Sequence, residues 1–344
     1  MKLERIKYPD ILRIAAIFFV ILAHITSVGL RDYAVGSVVW IWSGIFNSIS
    51  HWAVPVFFMI SGMFFLNPAK SFNIEKFYKK NIGRIVLCIV VWGFFYSLLD
   101  QYIYGTISAK SIIIAVYGII TGNTGYHLWF LYTLLVMYIA TPALRIFTAH
   151  ATKNQLDYAL IVWFILSIAI GQVNTLAQEL WGINNMLPYS AIIITGYGGY
   201  YLLGYRLKVY PLSDRALRLT CACAAVMIVI MSLASVLVSV KHDTWISGIS
   251  AQLGIGQCVM ATAVFSLAQK TKVKSGIVSL LGQQVFGIYL VHVFFVSLLF
   301  RIFDLKLDAF CPPLLILGYS VAIYALSLLV SWILTKIPGI KNIV

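Results

Sequence analysis

Two ionisable residues interrupt an apolar run near the start of the sequence. The stretch "DILRIAAIFFVILAHITSVGL", Asp10 to Leu30, is long enough to cross a bilayer, yet it carries Arg13 and His24. An arginine in hydrocarbon costs roughly 2.5 to 3.5 kcal/mol on an insertion scale, so a membrane helix that holds one has a use for it. The two residues are eleven positions apart. On an α-helix that is about 1100° of rotation and about 16 Å of rise, so both lie on one face. With about half of the hydrocarbon thickness between them, Arg13 falls at the cytoplasmic boundary and His24 near mid-membrane. A guanidinium suits phosphate or carboxylate recognition, and an imidazole suits proton transfer at neutral pH. The pair therefore matches anion binding at one depth and base or nucleophilic chemistry at another.

The other candidates are sorted by depth and spacing. His292, in "FGIYLVHVFF", lies past the middle of an apolar run, His127 opens "HLWFLYTLL", and His51 precedes "WAVPVFFMISG". His150 and His242 fall in loops. His24, His51, His127 and His292 show no His-x₃-His or carboxylate spacing, so no metal is expected. No Asp or Glu is central to any apolar run, which disfavours a carrier coupled to protons or sodium. In "MISGMFF", Ser61 and Gly62 stand where a helix break would open backbone groups toward a polar cavity. The basic run "KFYKKNIGR" contributes Lys80 and Arg84, read either as a solvated inner loop or as phosphate ligands. Trp129 and Tyr132 suit interfacial anchors or core positions. The glycines of "GYGGYYLLG", 196–204, suit close helix packing and not a nucleotide loop, because no strand precedes them.

These residues must be carried by membrane helices. Hydrophobic residues make up 61% of the chain and charged residues 10%, far below the roughly 25% charged of soluble domains. Apolar runs mark spans at about 11–30, 40–66, 84–104, 127–147, 157–174, 188–206, 217–240, 248–268, 278–300 and 312–335. The expected fold is an all-α polytopic membrane protein of about ten transmembrane helices, a single domain over residues 1–344. The second run is overlong and contains Pro55, which predicts a tilt or kink. The segment 108–126 is apolar but short and Gly-rich, and is expected as an outer re-entrant or interfacial piece. The first run is too long for a signal-peptide core and is expected to stay as a membrane helix. All five cysteines fall in or beside apolar runs, as small packing residues.

Of the 25 Lys and Arg, only Arg31, Lys110, Lys241, Arg301 and Lys306 fall at one set of helix ends. That asymmetry predicts cytoplasmic termini and an even number of spans. The net charge of +14 is then mainly topological, and a nucleic-acid partner is not expected. A basic inner face would still attract an anionic cytosolic ligand.

The segment "DILRIAAIFFVILAH" resembles the first helix of the membrane acyltransferase 3 family, whose hallmark is an arginine, ten residues, then a histidine. The similarity continues, in order, through "VPVFFMISGMFF", "HLWFLYTLLVMYIATPAL" and "LGQQVFGIYLVH". Within that family the sequence looks most similar to the stand-alone O-acetyltransferases of surface polysaccharides, of the kind acting on enterobacterial common antigen. The resemblance implies a multi-pass protein of a bacterial plasma (inner) membrane that moves an acetyl or other acyl group from cytosolic acyl-CoA, with acetyl-CoA as co-substrate. The acceptor would be a hydroxyl of a cell-surface glycan or its polyprenyl-linked precursor. It makes Arg13 and His24 the essential pair, with Arg13, Lys80, Arg84 and Ser61 on the donor side, and His24 as general base or acyl acceptor. Trp129, Tyr132, His127 and His292 would line the acceptor side. Two readings compete: a small-solute transporter, for amino acids for example, and a non-catalytic subunit of polysaccharide export. Acyl-CoA consumption by the purified protein separates the enzyme from the transporter, and tolerance of Arg13 and His24 to substitution marks the subunit.

Overall fold

The computed structural model describes residues 8–184, 196–271, 276–340 and 343–344. The described chain is helical: α1 is Tyr8–Asp32, α2 Val38–Ser48, α3 Ala53–Phe65, α4 Ile74–Ile103, α5 Ser111–Thr121 and α6 Trp129–His150. After these come α7 Lys153–Trp181, α8 Gly196–Val209, α9 Asp214–Lys241, α10 Ile255–Gln269, α11 Gly276–Ile302 and α12 Pro312–Leu334. Single π turns interrupt α4 at Tyr78–Ile82, α7 at Phe164–Ala169 and α11 at Leu298–Ile302. Among the described residues, nine helical segments are long and apolar enough to cross a membrane. The run expected at 188–206 begins outside the described residues; its described part is α8. The fold is that of an all-α polytopic membrane protein of about ten spans.

The chain forms two compact units. The first contains residues 1–67, 150–285 and 307–322. Its tightest crossing is between α3 and α8. A Cβ at Gly62 would overlap the Tyr201 carbonyl oxygen, and one at Gly204 would overlap the Met59 carbonyl oxygen. Each helix thus presents a glycine to the other's backbone, and the "GYGGYYLLG" stretch is a packing surface as expected. The same contact corrects another expectation. No break occurs at Ser61 and Gly62, because α3 runs through both and Gly62 serves helix packing.

The overlong second run breaks at residues 49–52, between α2 and α3. Pro55 is the third residue of α3, where a missing N–H removes no intrahelical bond. The polar groups around the break find partners in the same unit. Gln257 Nε2 donates to the Ser48 carbonyl at 2.6 Å, and Asn47 Nδ2 to Thr26 Oγ1 at 3.0 Å. His51 Nδ1 lies 2.9 Å from the Ser250 carbonyl, which makes Nδ1 the protonated nitrogen. Similar ties hold α7. Arg206 meets Asp157 through Nε at 2.6 Å and Nη2 at 3.1 Å, a two-point pair. Glu179 accepts from the Gly248 N–H at 2.8 Å and from Ser247 Oγ at 2.6 Å.

The second unit contains residues 68–149, 286–306 and 323–344. Here α5 is the short apolar segment expected not to cross the membrane on its own. It turns Ser111, Ala115 and Gly118 inward and leaves Ile112, Ile113, Tyr117 and Ile120 exposed. Its end is set by Gly122 in the left-handed region, φ +75°, a conformation that glycine adopts without strain. The following turn is tied to α4 by Thr124 Oγ1, which donates to the Gly93 carbonyl at 2.6 Å.

Gly204→Val is expected to lower the thermal unfolding midpoint of the purified protein by several degrees, since overpacking a closed interface costs about 1–3 kcal/mol. Gly276→Ala, where an added Cβ meets nothing within 4 Å, should leave the midpoint unchanged.

Candidate functional site

Helix α1 has the charges that its dipole favours, with Asp10 in the first turn and Arg31 in the last. It is uninterrupted from Tyr8 to Asp32. Arg13 and His24 therefore do share one face, about three turns and 16 Å apart. The opposite face of α1 packs against α2 and the turn that follows it. Phe19 lies 5.0 Å ring to ring from Trp52, Thr26 bonds Asn47, and a Cβ at Gly29 would overlap Ser43 Oγ. Phe19, Thr26 and Gly29 are turned about 140° to 160° away from His24, so His24 points away from the α2 contact and is half-buried.

The surroundings of Arg13 are well defined within the first unit. Its Nη1 donates to Asp10 Oδ1 at 3.1 Å, and the two side chains are 31% and 2% exposed. Its guanidinium carbon stands 5.6 Å from the centroid of the Phe64 ring. Ser61 is half-buried and lies one helical turn before Phe64 on α3. The first unit thus holds Arg13, His24 and Ser61, with Ser61 one turn from the ring under Arg13. This half-exposed guanidinium, with five donors in a planar fork, is suited to a phosphate or carboxylate.

The remaining residues singled out in the sequence belong to the second unit. Lys80 is exposed on the π turn of α4. Arg84 is engaged within its own unit: Nη2 donates to the Val344 carbonyl at 2.6 Å, and the guanidinium stacks over Phe286 at 4.8 Å. His127 and His292 come together, buried, with ring centroids 5.4 Å apart. Two tyrosines hold them. The Tyr96 ring lies 4.6 Å from that of His127, and its hydroxyl donates to the Leu290 carbonyl at 2.6 Å. The Tyr289 hydroxyl donates to the His127 carbonyl at 2.9 Å. His292 Nδ1 faces the Tyr289 carbonyl at 2.6 Å, so Nδ1 carries the proton and Nε2 the lone pair. Tyr132 has a structural partner: its hydroxyl donates to the Ile119 carbonyl at 2.7 Å, closing the last turn of α5. Trp129 is the half-buried first residue of α6.

Four contributors were not assigned from sequence. Asp10 had a legible signal, since three residues separate it from Arg13 and such pairs meet on a helix. Phe64, Tyr96 and Tyr289 had none, because the side chains of Arg13 and His127 that their rings meet are distant in sequence. Among the described residues no group of three His, Cys, Asp or Glu gathers as a metal set.

A family model described as an acyltransferase domain matches residues 6–336, nearly the whole chain. No curated protein and no solved structure matches the chain.

Tyr132→Phe should leave the fold intact but speed amide exchange across 111–121, because the Ile119 carbonyl loses its side-chain donor. Hydrogen exchange read by mass spectrometry checks this, with residues 8–32 as an unaffected reference.

Proposed function

The chain belongs to this family of membrane acyltransferases, and from that premise we propose that it transfers an acyl group from acyl-CoA to a hydroxyl of a glycan or lipid-linked glycan. Acetyl-CoA is the simplest donor. The observation that carries the reading is the shared face of α1, with an anion-binding side chain and a proton-transfer side chain about 16 Å apart. Arg13 takes the donor's phosphates through charge-assisted hydrogen bonds. The extended pantetheine arm then spans the distance from the boundary to the depth of His24.

At His24 two routes use the same residue. In the direct route the imidazole takes the acceptor hydroxyl's proton as the oxygen attacks the thioester carbonyl; the C–S bond breaks, and the CoA thiolate leaves and collects that proton. In the covalent route the imidazole nitrogen attacks first and CoA leaves as the thiolate; the acceptor oxygen then displaces the imidazole from the acyl group, and the hydroxyl's proton passes to the thiolate. Both need a neutral imidazole at the start, which favours activity above its pKa. Lys80, exposed and cationic, adds to the positive field that draws an anionic donor to the membrane surface.

His24→Ala should lower transfer from radiolabelled acetyl-CoA in proteoliposomes by about 10² to 10⁴-fold while CoA still binds. Full activity in that variant would remove His24 from the chemistry, and solute uptake without acetyl-CoA consumption would favour a transporter. Mass spectrometry of surface glycans, comparing a deletion strain with strains complemented by wild type or His24→Ala, should show a mass that only wild type restores. That mass identifies the acyl group.

A further inference from the structure

Asp10 is a carboxylate with only 2% of its side chain exposed. Burial of a carboxylate is strongly unfavourable unless it is paired, and Asp10 is paired with Arg13. Its other side is closed by α11. A Cβ at Gly282 would lie 2.7 Å from Asp10 Cβ and 2.8 Å from its Cγ, so only glycine lets that helix pass there. On Arg13 the Phe64 ring supplies a further surface, 5.6 Å from the guanidinium carbon. The guanidinium is thus held by a carboxylate that is itself walled in, beside an aromatic ring.

We propose that Asp10, seated against Gly282, is the positioning residue of Arg13; this rests on the reading of Arg13 as the ligand of the donor's phosphates. A free arginine has a long flexible stem and loses rotamer freedom on binding, a loss that prior orientation removes. Two-point recognition of phosphate oxygens also depends on the direction of the guanidinium plane. Asp10 fixes that direction but brings a negative charge near the anion. The two effects have opposite signs. If field strength alone mattered, neutralising Asp10 would tighten anion binding, whereas loss of positioning weakens it.

Calorimetric titration of the purified full chain in nanodiscs with CoA, at fixed ionic strength, decides between them. Asp10→Asn should bind CoA at least about fivefold more weakly than wild type, the scale of a coupled side-chain pair. Asp10→Glu, which keeps the charge but lengthens the arm, should also weaken binding. In an Arg13→Gln background Asp10→Asn should have no further effect, since Asp10 acts only through Arg13. Binding by Asp10→Asn as tight as wild type or tighter, or an additive loss in the double variant, would overturn the proposal. If Asp10→Asn shows no cooperative thermal transition, Gly282→Ala takes its place: it keeps the carboxylate but drives it from its seat. It should weaken CoA binding similarly, and wild-type affinity in that variant would overturn the proposal. A wild-type chain that does not bind CoA removes the donor reading itself, which a wild type that binds with an unaffected Asp10→Asn does not.

Discussion

In hydrocarbon no water is at hand for a backbone polar group, so every departure from helix must be satisfied by the protein itself. The placement of the irregular segments in this chain follows from that. At the break between α2 and α3 the Ser48 carbonyl loses its helical donor and takes the Gln257 side-chain amide instead. The 3₁₀ turn Ser247–Ser250 and the loop before α10 meet Glu179 and Gln172 from α7, with Gln172 Nε2 donating to the Gly248 carbonyl at 2.9 Å and its Oε1 accepting from the Ile255 N–H at 2.9 Å. At both places an amide or carboxylate on a neighbouring helix meets the irregular backbone, which gives glutamines a use in otherwise apolar spans.

The same constraint explains the division of labour on α1. One face is spent on packing, through Phe19, Thr26 and Gly29, and there the polar Thr26 is matched by Asn47. The other face carries Arg13 and His24. That second face also buries Ile17 and Ile21, so the two ionisable groups stand among apolar packing, where an ionisable group needs polar company. The uninterrupted ladder of α1 makes the separation between the two groups rigid, and rigid spacing suits a ligand that must be bound at one end and react at the other.

In the second unit the dominant feature is the group of Tyr96, His127, Tyr289 and His292. Its hydroxyls are spent on carbonyls, Tyr96 on Leu290 and Tyr289 on His127. These bonds tie the turn before α6 and the middle of α11, while the Tyr289 backbone carbonyl orients His292 through its Nδ1. The hydroxyls thus hold the backbone on which the two histidines stand, and the Tyr96 and Tyr289 rings pack 4.6 Å and 5.6 Å from that of His127.

How much of this was legible without coordinates follows from the range of each interaction. The helices, the non-crossing segment at α5, the kink near Pro55 and the shared face of Arg13 and His24 depend on local periodicity and chain stiffness, which any stretch of sequence carries with it. The glycines of 196–204 announced close packing, but not that Gly204 meets Met59 while Gly62 meets Tyr201, and so Gly62 read as a break. Nor did the sequence show that the Arg84 guanidinium donates to Val344, 260 residues later, or that the Tyr132 hydroxyl donates to Ile119. The sequence by itself determined which helices form, the family of acyltransferases, and the vertical spacing of the Arg13 and His24 pair, because a 3.6-residue repeat converts position directly into depth and direction. Only the tertiary structure decided which polar side chains on different helices meet, because those partners approach along the chain's third dimension, where sequence separation carries no distance.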